Sequence, residues 1–73
     1  MKKLIRYGVD GSYGVEVRIL RRGLGMSQGD LSDSSGVSRI TISKIENGLF
    51  VGNVNVLERI ARSLGVELVI MLK

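Results

Sequence analysis

The sequence has no cysteine, histidine, proline or tryptophan, and its 73 positions hold only three aromatic residues, Tyr7, Tyr13 and Phe50. Without Cys or His there is no disulfide framework, thiol nucleophile, imidazole base or zinc ligand set. Most hydrolytic, redox and metal chemistry is thereby excluded, so no catalytic residue, metal or cofactor is expected. Small secreted domains offset a small core with disulfides, and their absence here points to the cytoplasm. Few aromatics mean an aliphatic core. Long apolar runs are missing too. The run Leu68–Leu72 is far short of the roughly 20 residues that cross a membrane. The start, Met1-Lys2-Lys3-Leu4-Ile5, has the charge of a targeting peptide, but Arg6 and Asp10 break the apolar stretch that such a peptide needs. No membrane association is expected.

What remains is one small domain, of a size that buries about 60% of its unfolded surface. Eleven Lys and Arg face seven Asp and Glu, for a net charge of +4. A polyanion is the first partner to consider. Ordinary solubilising charge would give the same sum.

Glycine and polar punctuation divide the chain, which contains no internal repeat. Residues 4–9 are β-like and end at the turn signal Asp10-Gly11. The next segment has two readings: Val15, Val17 and Ile19 alternate as in a strand, while Val17, Leu20 and Leu24 recur at helical spacing. Beyond it the signals sharpen. Ser27 caps a helix from Gln28 to about Ser35, Asp30 approximates a capping box, and Gly36 supplies the stop. Ser38 caps a second helix with Ile42 and Ile45 on its apolar face, closed by Asn47-Gly48. Two short helices about a glycine-bearing turn have the spacing of a helix-turn-helix. Asn53 caps a further helix whose buried stripe is Val56, Leu57, Ile60, Ala61 and Leu64, and Gly65 ends it. The apolar, β-branched tail from Val66 reads as a strand lying outside the helical core. It needs a partner: residues 4–9, the same tail of a second chain, or both.

In order and spacing, the residues from Gly14 to Val66 resemble the Cro/repressor-type (Xre-like) helix-turn-helix family. The likeness is carried by Gly14, Val17-Arg18, Leu20-Arg21-Arg22, Gly25-Met26-Ser27-Gln28, Asp30-Leu31, Gly36-Val37-Ser38-Arg39, Thr41-Ile42-Ser43, Ile45-Glu46-Asn47-Gly48, Leu57, Ile60-Ala61 and Leu64-Gly65-Val66. It implies a mainly α, four-helix, lambda-repressor-like domain over residues 14–65, with residues 14–24 as its first helix. An N-terminal extension of residues 1–13, a candidate strand, precedes it, and a C-terminal strand over 66–73 closes the chain.

The resemblance also implies roles. Gln28 would bond a DNA phosphate and brace the recognition helix, which runs from Ser38 to Asn47. Arg39, Ile40 and Lys44 align with base-facing positions, Thr41 and Ser43 lie nearby, and Asn47 with the amides after it matches a phosphate contact. Arg39 and Lys44 suit guanine O6 and N7, whereas Ile40 suits a thymine methyl. On a helix Ile40 lies about 200° from Ile42, so it should point outward. Arg21 and Glu46 resemble a partly buried ion pair that orients the recognition helix. Three departures stand out. Gly23 and Leu24 replace residues that are usually polar, Gly52 stands where many relatives have Pro, and the loop Leu49-Phe50-Val51 is unusually apolar.

The implied function is a sequence-specific regulator, a repressor in particular, binding double-stranded DNA as a homodimer on a near-palindromic operator. Short members ending in a strand look like antitoxin subunits, which also hold a toxin protein. In those, terminal strands of two subunits pair, a part that Val66, Leu68, Val69, Ile70, Met71 and Leu72 would take. A docking module without DNA binding is the alternative from another class, and Arg39 and Lys44 at groove-reading positions argue against it.

Overall fold

The computed structural model describes the backbone of residues 4–7, 13–49 and 53–70, and the side chains of 13–49 and 53–69. The expected turn at Asp10-Gly11, the loop residues Phe50, Val51 and Gly52, and the tail residues Met71 and Leu72 fall outside the described residues. The element order is β1 (Leu4–Tyr7), α1 (Tyr13–Gly23), α2 (Gln28–Ser35), α3 (Arg39–Glu46), α4 (Val54–Ser63) and β2 (Glu67–Ile70). The fold is mainly α, as the sequence implies.

Helical periodicity prevails over strand alternation in α1. Val17 is fully buried, whereas Val15 and Ile19 are exposed on the opposite side. Tyr13, expected in the N-terminal extension, instead opens α1 and joins the core. Leu24 lies one residue past the helix and is exposed. Helices α1, α3 and α4 stop on the same device, two backbone bonds that fold the chain back over the last turn. In α3 these run from Gly48 N to Ile45 O (3.1 Å) and from Leu49 N to Lys44 O (2.8 Å). They require a left-handed residue, and Gly48 provides it at φ 74°. The capping box at α2 has both halves, Asp30 N to Ser27 Oγ at 3.0 Å and Ser27 N to Asp30 Oδ2 at 2.9 Å.

The aliphatic core is formed by Val17, Leu31, Ile42, Ile45, Leu57 and Ile60, all fully buried, one or two from each helix. Burying such side chains contributes about 1.5–3 kcal/mol each. Helix α3 has only eight residues, too few to persist alone in water, so Ile42 and Ile45 in this core are what keep it folded.

Strand β2 pairs in parallel with β1, Leu4 opposite Glu67 through Tyr7 opposite Ile70. Of the partners open to the tail, the described residues show the N-terminal one within the same chain. Val66, expected as the first strand residue, closes the end of α4 by donating its N–H to Ala61 O at 2.9 Å. The strand is also not separate from the helices, because Leu68 packs against their core.

Candidate nucleic-acid interface

The α2–turn–α3 unit is built by local chemistry. Gly36, at φ 75°, ends α2, and Ser38 begins α3 by accepting from Thr41 N at 3.1 Å. The Ser38 hydroxyl also donates to Thr41 Oγ1 at 2.8 Å. These two hydroxyls are therefore engaged with the helix start.

Burial divides α3 into two faces. Ile42 and Ile45 point into the core, while Ile40, Lys44 and Asn47 are exposed and Ser43 is half-buried. Positions 40, 43, 44 and 47 follow the i, i+3, i+4, i+7 rule and form one stripe along the outer face. Ile40 is 71% exposed, the highest value among the large exposed apolar side chains described. Arg39 stands beside this stripe. A Cβ built on Gly29 would lie 4.0 Å from Arg39 Nη1, so the guanidinium hangs over the first turn of α2. That turn carries the positive end of the helix dipole, where a phosphate is favoured.

The inner end of α3 is fastened by Glu46. Its buried carboxylate accepts from Arg21 twice, Nε to Oε2 at 2.7 Å and Nη2 to Oε1 at 2.8 Å. Gln28 Nε2 donates to Oε1 at 3.2 Å, and Arg18 Nε stands 3.5 Å from the same oxygen. Arg21 Nη1 reaches Met26 O at 2.8 Å. One acid thus joins α1, the first turn of α2 and the end of α3. Burial pushes the Glu46 carboxyl up, but hydrogen bonds from Arg21 and Gln28, the Arg21 charge and Arg18 together hold it below the usual range. The bond to Glu46 outweighs burial to raise Arg21 above its ordinary value. Gln28, expected at a phosphate, has its amide nitrogen turned toward this acid and is half-buried.

Immediately after Glu46, at the same C-terminal end of α3, the geometry differs from the sequence expectation. The amides of Asn47, Gly48 and Leu49 all donate to carbonyls of α3, so they are not free for a phosphate. Asn47 Nδ2 donates to Ser43 O at 2.9 Å, and Asn47 Oδ1 accepts from Arg18 Nη2 at 3.3 Å. Helix capping, which the residue types alone announce, uses these groups first. The expectation also gave no role to Arg18, although its place three residues before Arg21 puts both cations on one side of α1.

Of the residues expected in the tail, Leu68 and Val69 lie half-buried in β2 and Val66 beside it. No cluster of metal-ligating side chains occurs among the described residues. No helix among them is long and apolar enough to cross a membrane.

Two short helices about a glycine turn, the second braced from within and displaying Ile40, Ser43, Lys44 and Asn47 along its outer face, define a helix-turn-helix DNA-binding protein. A family model described as helix-turn-helix matches residues 17–70. No curated protein and no solved structure matches the chain. The chain belongs to the Cro/C1-type, Xre-like helix-turn-helix family, whose members are DNA-binding regulators and not enzymes.

Proposed function

We propose that the protein is a sequence-specific transcriptional repressor that binds a near-palindromic operator as a homodimer in the cytoplasm. The observation that carries this reading is the outer face of α3, where an apolar Ile40 is held in water beside Lys44, Ser43 and Asn47. In a major groove Ile40 meets a thymine methyl and Lys44 a guanine edge. Arg39, whose guanidinium lies over the first turn of α2 and not on the stripe, is assigned with that turn to the phosphate backbone in place of the guanine edge that the resemblance implies. One such helix reads only a few base pairs, so a second copy about 34 Å along the duplex supplies the other half-site. Among the described residues β2 is paired on one side only, and its remaining edge suits a second β2.

Fluorescence anisotropy against the region upstream of the protein's own gene, and against random duplex, tests the reading. Binding should differ by about 10³-fold or more and weaken steeply with salt. Equal affinity for both would overturn it. Lys44→Ala should cost about 1–3 kcal/mol on the operator alone. Sedimentation equilibrium should give twice the 8.0 kDa chain mass, and one chain per operator would remove the dimer.

A second reading adds a toxin protein as partner. Val15 and Ile19, exposed one turn apart on the face of α1 turned away from the core, favour it. Co-purification from cells expressing the neighbouring gene tests it, and Ile19→Lys should abolish that capture while leaving DNA binding intact.

A further inference from the structure

We infer that Arg18 is a positioning residue for DNA reading, fastening the last turn of the recognition helix and fixing the orientation of Asn47; the inference rests on the DNA-binding reading above. Two cations of α1 converge on Glu46, but they do different things. Arg21 is buried and bonds both carboxylate oxygens. Arg18 is half-exposed and reaches past the carboxylate to the backbone, its Nη2 donating to Glu46 O at 2.9 Å and to Asn47 Oδ1 at 3.3 Å.

Both acceptors matter to α3. Glu46 O is one of the terminal carbonyls that a helix leaves without an internal donor, and a guanidinium there also meets the negative end of the helix dipole. Asn47 Oδ1, once held by Arg18, leaves Nδ2 to face Ser43 O at 2.9 Å. Arg18 therefore selects which way the Asn47 amide lies, and Asn47 is the last member of the outward stripe. With Arg18 in place, the end of an eight-residue helix is closed from α1 and the last position of its outward stripe is ordered. Without it, Glu46 keeps Arg21 and Gln28, so the core anchorage survives while the last turn frays.

The test uses Arg18→Met, which keeps the stem and removes every donor, and Arg18→Lys, whose single ammonium can serve the carbonyl but not all three acceptors. Binding is measured on a duplex recovered by selection from a randomised pool with the wild-type protein, and on random duplex. Arg18→Met should lose about tenfold on the selected duplex, the worth of one charge-assisted hydrogen bond. Random-duplex affinity and the salt slope should be unchanged, and Arg18→Lys should fall between Met and wild type. Amide hydrogen exchange without DNA should be faster at Asn47, Gly48 and Leu49 in Arg18→Met, with α4 amides unaffected. Equal loss on both duplexes, with the salt slope smaller by about one, would make Arg18 a phosphate contact and overturn the inference. A lowered melting temperature with unchanged selectivity and exchange would reduce it to a structural residue and overturn it too. If wild-type protein recovers no preferred duplex, the DNA reading itself fails. The fastening role then stands or falls on the exchange measurement.

Discussion

Replacing Glu46 by Leu removes the acceptor on which Arg21, Gln28 and Arg18 converge. Arg21 is then left buried with only Met26 O as partner, and a guanidinium cannot shed its charge. Removing one member of a buried pair costs about 3–5 kcal/mol, in a domain whose whole stability is about 4–11 kcal/mol. The reverse change, Arg21→Met, is milder for two reasons. Glu46 keeps donors in Arg18 and Gln28, and a stranded carboxyl can take a proton. The cost there is the loss of hydrogen bonds to a charged group, about 1.5–3 kcal/mol. The double variant Arg21→Met/Glu46→Leu leaves neither charge stranded, and Arg18 retains its bond to the backbone carbonyl. It should therefore be more stable than Glu46→Leu alone. Urea unfolding at pH 7 followed by far-ultraviolet circular dichroism measures all three, since the chain has no tryptophan to report by fluorescence. A double variant destabilised by the full sum of the two single changes would refute the coupling.

The depressed Glu46 carboxyl sets an acid limit. Its folded pKa lies below the 4.5 of an ordinary glutamate, so the unfolded chain takes the proton first. The stabilisation is full above that value and fades as pH falls through the lower folded one. Urea midpoints should drop on acidification below about pH 4.5, and Glu46→Leu should flatten that drop. Two glycines of α1 should respond to alanine in opposite directions. At Gly14 a methyl would run into the Ile45 carbonyl oxygen, so Gly14→Ala should cost about 1–3 kcal/mol. At Gly23 nothing lies within 4 Å, so Gly23→Ala should gain about 0.5–1 kcal/mol. Thermal melts decide both signs.

Local chemistry made much of the fold legible. Ser27, Ser38 and Asn53 each satisfy a nearby amide, Gly36 and Gly65 end their helices, and the apolar stripe of α4 faces inward. Those signals act over three or four residues, which is why a sequence carries them. The parallel pairing of Leu4–Tyr7 with Glu67–Ile70 is of another kind. It joins segments some sixty positions apart; each is legible as a strand, but nothing local to either chooses this partner over the tail of a second chain. The period of α1 is open from residue types alone, and burial on the core side, through Val17, decides it. At the end of α3 the amides are legible as phosphate donors by resemblance, yet the folded helix uses them to close itself. The sequence places Arg18 within the family likeness and on the Arg21 side of α1, but its role is not legible there, because only the three-dimensional approach of Glu46 O reveals it.

Helix α3 divides its labour between residues that fix it and residues that read. Ile42, Ile45 and Glu46 are buried and bonded to the rest of the chain, so changes there alter stability before they alter recognition. Ile40 and Lys44 are exposed on the opposite side. Surface changes away from such packing cost within about 0.5 kcal/mol. Exchanging Ile40 for Gln and Lys44 for Arg together should therefore redirect preference at the Ile40 position from thymine to adenine, with guanine kept at the Lys44 position, while the melting temperature stays nearly unchanged. Asn47 should behave differently despite sharing the outer stripe, because its amide bonds Ser43 O and Arg18. Asn47→Ala should lower both stability and selectivity. Selection of preferred duplexes with each variant, paired with thermal melts, separates the two groups. An Ile40→Gln/Lys44→Arg protein that melts normally and still prefers the wild-type duplex would show that α3 is not the reading helix.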